Sequence, residues 1–188
     1  MKPRDEAKAR DILAATLKEV EAVGLAGLSM EAVARRAKVA TGTLYIYFKN
    51  KEALIDALYL ATKRELAGLV FKPSDLPVRA AFQAMCVAFL EYLIEHQAEV
   101  IFMGQVFNSP YISDRTRAEA ALGVRPLTEL LERGQRELLL KDLDVPLMLV
   151  FLQGTLRELA AVVAAEPRAR RAERCEQIAT LCWDALKA

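Results

Sequence analysis

The chain has 188 residues, 54% of them hydrophobic, and a formal net charge of +1. This length can bury a sizeable core in one large or two small domains. No run approaches the ~18 apolar residues of a membrane-spanning helix, and the charged first ten residues lack the apolar segment of a signal peptide, so we expect a soluble, cytoplasmic protein.

The charge is distributed unevenly along the chain. Residues 1–51 contain ten Lys or Arg and six Asp or Glu, a net charge of +4, whereas the remaining residues contain sixteen and nineteen, a net charge of −3. A basic N-terminal part on a mildly acidic body suits a small, directed contact with nucleic acid.

Residue types that carry catalysis or bind metals are sparse. A zinc or di-iron site usually needs more than the one histidine, His96. His96 is most simply a cation near a helix end, with a ligand role as the alternative. Cys86, Cys175 and Cys182 contain no CxxC spacing and indicate small buried hydrophobes of a reduced compartment. Cys175 and Cys182 lie two turns apart on one helical stripe, which leaves a redox switch open. We expect no catalytic residues, no metal and no cofactor, and therefore a protein that is not an enzyme.

Helical periodicity covers almost every segment, and Pro and Gly fall at the breaks. This pattern predicts an all-α protein with about nine helices. The first helix is expected from about residue 4 to residue 23, with Gly24 as its C-cap residue. Before it, Lys2 and Arg4 either reach a DNA backbone or form a solvated arm.

Residues 29–48 contain two short helices with a tight turn between them. Ser29 is a suitable N-cap for the second helix, and Thr41 can cap the third. In the turn 38–40, Val39 is expected to point inward. Leu44 and Phe48 lie one turn apart on one face of the third helix, and this face is expected to be buried.

The opposite face of the third helix is small, aromatic and basic, and it carries no acid. With Leu44 inward, Gly42 and Ile46 point outward. Gly42 allows close backbone approach, and Ile46 can touch a thymine methyl group. Beside them, Thr43 and Tyr45 offer hydroxyls to phosphates and Lys49 supplies charge. The alternative interpretation is the solvated face of an ordinary helical hairpin.

Asn50 is expected to cap a fourth helix over residues 51–71. Lys51 then lies at a helix N-terminus, where free N–H groups and the dipole favour an anion. A bound phosphate would remove the conflict between the lysine and the dipole, so we interpret Lys51 as a backbone clamp.

These residues resemble the TetR family of one-component transcriptional regulators. The resemblance is carried by Gly24 to Ser29, by the helix-turn-helix, and by the run from Thr43 to Leu54, and it covers roughly residues 5 to 65. It implies an N-terminal three-helix helix-turn-helix DNA-binding domain (residues 1–50, with the motif at 29–48) and helix 51–71 as connector. It also implies a C-terminal helical ligand-binding and dimerisation domain (residues 72–188).

Together the pattern and the resemblance predict a set of DNA-contacting residues. Some family members carry a base-reading arginine on the second helix, where this chain has Glu31. Glu31 could accept from a cytosine amino group, but we prefer a plain acid at a helix N-terminus, and the neighbouring Arg35 and Arg36 are expected to touch phosphate instead. The predicted DNA-binding residues are Ser29, Arg36, Thr41, Gly42, Thr43, Tyr45, Ile46, Tyr47, Lys49 and Lys51.

The rest of the chain is expected to form five further helices. The segment 72–77 is the clearest break, and helices follow over residues 78–96 and 98–107. Gly123 and Pro126 predict that a seventh helix, from about 114 to 137, bends or splits. The eighth helix is expected over 144–163, with Asp144 as its cap, and the ninth over 169–187. In the family the last two helices pair with their copies to form the dimer, and the surplus apolar surface of these two predicts the same here. The alternative is that both helices are buried in the core of the monomer.

Aromatic and Met residues are concentrated in the body and suit an apolar or aromatic effector. The alternative is that they are core. Gln153 and Arg157 lie one turn apart in an apolar helix and need polar partners, either a ligand's head or a carboxylate across the dimer. The predicted ligand-binding residues are Phe82, Phe89, Tyr92, Phe102, Met103, Phe107, Tyr111 and Phe151.

The sequence therefore favours a homodimeric, ligand-responsive DNA-binding regulator, most simply a repressor released from a palindromic operator by a small apolar effector. Two alternatives from other classes stay open. One is an all-α ligand carrier or enzyme bundle whose N-terminal hairpin is structural, and the other is an architectural DNA-binding protein without an effector.

Overall fold

The computed structural model describes residues 3–72, 75–107 and 109–188, with side chains from Glu6 onward. Lys2 and the side chain of Arg4, predicted as a possible DNA-contacting arm, lie outside the described residues. In the described part the chain is all-α, as predicted. The helices are α1 (Pro3–Gly27), α2 (Met30–Arg36), α3 (Thr41–Tyr47), α4 (Lys51–Val70), α5 (Val78–Glu95), α6 (Gln97–Phe107), α7 (Asp114–Ala121), α8 (Arg125–Arg136), α9 (Val145–Ala164) and α10 (Arg168–Leu186).

The predicted seventh helix is divided into two. A short 3₁₀ turn, Leu122–Val124, separates α7 from α8, and Pro126 lies in the first turn of α8, where a missing N–H costs nothing. The predicted split at Gly123 and Pro126 is confirmed. The predicted eighth and ninth helices are consequently α9 and α10.

The chain forms two compact units. The first comprises the residues up to Lys63 together with Gln97–Ala120, and the second comprises Arg64–His96 and Ala121–Ala188. These contact-based units group α6 with the N-terminal helices. The predicted boundary between a DNA-binding and a ligand-binding domain stays a prediction.

In the first unit, α1 packs against α2 and α6. Their apolar stripes meet in one core, and Val39 in the turn between α2 and α3 is partly buried against it, as predicted. Burial of this kind, at about 1.5–3 kcal/mol for each fully buried large side chain, fixes helices of seven residues that would not be stable alone. Fully buried members of this core are Ile12, Val33, Leu44, Leu54, Ile55, Phe102 and Val106.

Two of the predicted helix caps are present. The Ser29 hydroxyl accepts a hydrogen bond of 3.2 Å from the N–H of Ala32, and the Asn50 amide oxygen accepts one of 2.8 Å from the N–H of Ala53. Each cap satisfies an N–H that has no partner inside its helix. They fix where α2 and α4 begin.

Two other predicted caps are wrong in part. The N-cap of α3 is Ala40, which makes no side-chain capping bond, and Thr41 is the first helical residue. Asp144 does occupy the N-cap of α9, but its carboxylate makes no capping bond. The turn before α3 instead depends on the backbone of Lys38, whose φ of 56° is left-handed. That conformation is uncommon for a residue with a Cβ.

Gly24 interrupts α1 at the place predicted for its C-cap. Its φ of 71° and ψ of 173° are non-helical, and the absence of a Cβ permits this conformation at little steric cost. The chain beyond it turns through Leu28 towards α2.

In the second unit, α5 packs against α8, α9 and α10. Phe82 of α5 is fully buried, and its ring meets that of Trp183 edge-on at 5.5 Å. The chain end is tied back to the segment before α9, since the N–H of Lys141 donates to Leu186 and the N–H of Ala188 donates to Leu139. His96 is the C-cap of α5 and stacks on Tyr92.

Candidate functional site

The two faces of α3 have opposite environments. Leu44 is 0% exposed and Phe48, which follows the helix, is 9% exposed, whereas Tyr45 is 46% exposed and Ile46 is 82% exposed. An isoleucine this exposed contributes little to packing. The predicted orientation of α3 is therefore confirmed, and its outward side chains are available to a partner.

Gly42 and Lys49 extend this exposed face. A Cβ added to Gly42 would meet nothing within 4 Å, so a duplex backbone can approach the helix closely there. Lys49, just beyond the C-cap, is exposed. We call Gly42, Tyr45, Ile46 and Lys49 the reading face.

Three predicted contact residues are only half-buried. Thr41 and Thr43 have intermediate exposure at the start of α3. Tyr47 packs partly against the core, with its ring centroid 6.4 Å from that of Phe48. Their contact with DNA stays a prediction, and for Tyr47 the packing supplies a role of its own.

Lys51 occupies the first position of α4, as predicted. Its Nζ lies 3.4 Å from the carbonyl oxygen of Ala26 and 5.1 Å from the centre of the Tyr111 ring. The first distance is long for a hydrogen bond, so the ammonium retains donors for a phosphate. Both contacts hold the side chain beside the N-terminus of α4.

Arg36 and Ser29 already have intramolecular partners. The Arg36 Nε donates to Glu19 Oε2 across 2.6 Å, joining α2 to α1, and the Glu19 side chain is only 12% exposed. The Ser29 hydroxyl caps α2. Each position has a structural role that needs no DNA, although both residues, like the neighbouring Arg35, are exposed.

Two exposed cations precede the reading face in the chain. Arg35 at the end of α2 and Lys38 in the turn are both exposed. Glu31 lies in the first turn of α2, where the helix dipole favours an acid. This arrangement is suited to placing α3 against a polyanion.

The eight residues predicted to bind a ligand are distributed over both units. Phe102, Met103, Phe107 and Tyr111 belong to the first unit, and Phe82, Phe89, Tyr92 and Phe151 belong to the second. Phe82, Tyr92 and Phe102 are core residues, whereas Phe107 is 65% exposed. Their role in ligand binding stays a prediction.

The second unit contains a cavity of about 720 Å³ among α4, α5 and α8. None of the eight residues is among the described residues that line it. Sequence reasoning missed it because it searched for large aromatic side chains, and small ones create the space here. The apolar lining is Leu69, Val70, Ala81, Ala84, Met85, Ala88, Pro126 and Leu130; the charged lining is Lys72, Asp75, Glu129, Arg133 and Arg136.

One face of α9 is apolar and exposed. Leu147, Val150 and Val162 are 57%, 70% and 60% exposed, and Phe151 beside them is 40% exposed. By length and composition alone α9 could also cross a membrane, but one such helix is weak evidence. Arg157 is exposed as well and pairs with Glu158 at 3.4 Å. This apolar stripe is the surface expected of a helix that meets another chain.

The three cysteines are unlinked and buried. Burial raises the pKa of all three thiols, so little of the reactive thiolate forms near neutral pH. Within the described residues there is no group of three or more side chains that could hold a metal ion. The pKa shifts favour the packing interpretation of Cys175 and Cys182 over a redox switch.

Family comparisons assign both parts of the chain. The model described as bacterial regulatory proteins of the tetR family matches residues 12–58, and a model described as a tetracyclin repressor-like C-terminal domain matches residues 77–187. The first match contains α2, α3 and the reading face. The second covers more than half of the chain.

Relatives and solved structures agree with these matches. An uncharacterised helix-turn-helix-type transcriptional regulator of Bacillus subtilis, YhgD, is 28% identical over 68% of this chain, and the match spans 61% of that relative. The regulator BetI of Burkholderia thailandensis is 33% identical over 44% of each chain. A tetR family regulator structure from Shewanella sp. PV-4 superposes with a TM-score of 0.84 and 26% identity over 96% of this chain and 98% of its own. A structure from Haemophilus influenzae, at 20% identity over the whole of both chains and a TM-score of 0.83, shares the fold.

Proposed function

The chain belongs to the TetR family of helix-turn-helix transcriptional regulators, and from this premise we propose that it is a homodimeric repressor released from a palindromic operator by a small ligand. The observation that supports DNA reading is the reading face of α3. It presents an 82% exposed isoleucine, Ile46, beside an unobstructed Gly42. We also propose that the protein acts in the cytoplasm, where its operator would be.

In this proposal α3 lies in the major groove. Ile46 faces base edges, which carry the sequence information, and the Tyr45 hydroxyl faces the phosphates. Lys49 and Lys51 contact phosphates, and the free N–H groups of α4 add to the attraction at Lys51. The position of α3 is fixed by Leu44 on its buried side.

The exposed stripe of α9 supports a dimer built on α9 and α10. Leu147, Val150 and Phe151 recur at helical spacing and would be covered by the same face of a second copy. Two heads would then contact successive major grooves ~34–36 Å apart on a palindromic site. A ligand could release this dimer only by binding more tightly to an arrangement with different head spacing.

Electrophoretic mobility shift with the DNA upstream of its own gene tests DNA binding. We expect sequence-selective retardation that weakens on the order of 10³-fold or more between 50 and 200 mM salt, since several phosphates are neutralised. Tyr45→Ala and Lys51→Ala should weaken the complex without lowering the melting temperature. Arg115→Ala, which removes an exposed cation on α7, is the matched control and should change neither.

The alternatives give different results in the same assay. A ligand carrier or enzyme with a structural hairpin would show no selective retardation. An architectural binder would retard any duplex, and no small molecule would release it. Selective, salt-sensitive retardation that a small molecule reverses is expected only of the proposed repressor.

A further inference from the structure

The cavity of the second unit exists because one face of α5 is built from small side chains. Ala81, Ala84 and Ala88 recur at i, i+3 and i+7, which places them on one side of the helix. Their methyl groups do not reach α8 or the end of α4, and about 720 Å³ remains. This lies within the ~300–1,000 Å³ range of small-molecule sites.

The cavity is open on one side, and its walls are apolar there too. Leu69 at the end of α4 lines it and is 47% exposed, and Ala84 is also exposed. Apolar side chains left accessible in a concavity gain free energy when an apolar ligand covers them. The alanine face therefore favours an aliphatic chain or a flat ring.

The charged side chains of the cavity are biased towards positive charge. The Glu129 carboxylate accepts a hydrogen bond of 2.7 Å from Arg125, which is outside the lining. Arg133 donates to Glu137 at 2.9 Å and to the carbonyl oxygen of Leu76 at 3.0 Å. These contacts use two of its five N–H donors.

Arg136 has a weaker intramolecular pairing than Arg133 and is available to a ligand. The nearest carboxylate oxygen, on Glu132, is 3.9 Å from its Nη1, which is too long for a hydrogen bond. Lys72 adds a further positive charge to the lining. Asp75 adds a negative charge, as Glu129 does. An arginine fork of this kind binds a carboxylate through two parallel N–H···O bonds.

We propose that this cavity binds an amphipathic anion: an apolar chain or ring on the alanine face of α5, with one carboxylate held by Arg136 and assisted by Arg133. One consequence of the inference rests on the proposed function: such a carboxylate would be the molecule that releases the operator. The binding site itself is defined by the cavity alone.

Isothermal titration calorimetry with dodecanoate, below its aggregation concentration, tests the site in the full-length protein. We expect saturable binding, with dodecanol and dodecylamine at least tenfold weaker because they lack the anionic head. Dodecyl phosphate separates the possible head groups: equal or weaker binding supports a carboxylate site, whereas binding more than tenfold tighter than dodecanoate would overturn the carboxylate assignment.

Matched variants tie the binding to this cavity. Ala88→Leu, which fills the alanine face, and Arg136→Gln, which removes the exposed cation, should each weaken dodecanoate binding at least tenfold. Ala118→Leu and Arg115→Gln, at exposed positions of α7 outside the cavity lining, should leave it within twofold. Dodecanoate binding that survives Ala88→Leu, or that dodecanol matches, would overturn the proposal.

Mobility shift with the same ligand keeps the two proposals separable. If dodecanoate binds wild type but not Ala88→Leu and the operator complex persists, the site stands and its effector role is refuted. If a neutral molecule releases the operator while dodecanoate does not bind, the repressor proposal stands and the anion inference fails.

Discussion

Leu44 and Ile46 allow the two faces of α3 to be tested against each other, because two similar aliphatic side chains on one short helix have opposite environments. Leu44 is 0% exposed, so Leu44→Ala should lose about 2–5 kcal/mol of stability in the first unit through lost burial and a cavity. Ile46 is 82% exposed, and its buried fraction accounts for about 0.3–0.5 kcal/mol. Alanine has a better helix propensity than isoleucine, which restores roughly a few tenths of a kcal/mol. Ile46→Ala should therefore leave the free energy of unfolding nearly unchanged.

For DNA affinity we expect the opposite order. At temperatures where both variants are folded, Ile46→Ala should lose more affinity than Leu44→Ala. Removing the Ile46 side chain should cost about 1–2 kcal/mol per head if it contacts a thymine methyl group or another base edge. A symmetric dimer would then lose about 2–4 kcal/mol, roughly 30- to 1,000-fold in affinity. Stability is measured by urea unfolding followed by far-UV circular dichroism. Tryptophan fluorescence would not report directly on α3, because the single tryptophan, Trp183, lies in the second unit.

Affinity is measured by fluorescence anisotropy on a duplex selected from a random library with the wild-type protein. Two results would refute the reasoning. A fall in the urea midpoint for Ile46→Ala as large as that for Leu44→Ala would show that the outward side chain is part of the packing. Unchanged affinity for Ile46→Ala would show that the reading face does not read DNA.

Three further predictions concern other features. Gly42→Ala should raise stability by up to about 1 kcal/mol, since the added Cβ meets nothing and alanine favours helix, while weakening operator binding; unchanged or tighter binding would argue against close backbone approach. Val150→Glu, on the exposed stripe of α9, should convert the dimer to monomer in sedimentation velocity at about 10 μM, and a persisting dimer would place the interface elsewhere. Cys86, Cys175 and Cys182 should react with a disulfide reagent only slowly in the native protein and fully in urea. Because burial raises their pKa values, the folded protein keeps protons that the unfolded chain loses above about pH 8.5, so these thiols should lower stability as pH rises further. Rapid labelling of any of the three cysteines in the native protein would contradict the expected slow reaction.

Local signals in the sequence were sufficient for the helix-turn-helix. The caps at Ser29 and Asn50 depend on residues three positions apart, and the burial of Leu44 follows from the helical period. The predicted cap at Thr41 was wrong because the backbone conformation places another residue at the cap position. Thr41 has the right side chain for a cap, but the left-handed turn at Lys38 delivers the chain so that Ala40 takes the cap position.

The body of the protein could be predicted as helices but not as a site. Periodicity cannot decide whether an aromatic residue such as Phe82 faces a ligand or Trp183, because both require the same spacing. Likewise the cavity depends on which residues face Ala84 and Ala88 in the tertiary structure, and helical periodicity does not give this. Repeated small residues on one face of a long apolar helix are the signal that could have indicated it.

The separation between the buried and exposed sides of α3 has a consequence for how such a regulator diversifies. Because Leu44 supplies the anchoring, whereas Ile46 is 82% exposed and Lys49 is exposed, substitutions at Ile46 and Lys49 carry almost no thermodynamic penalty. If the reading face contacts DNA as proposed, operator preference can therefore be changed at these positions without misfolding. Exchanging these outward residues between relatives should transfer target choice while the scaffold stays intact.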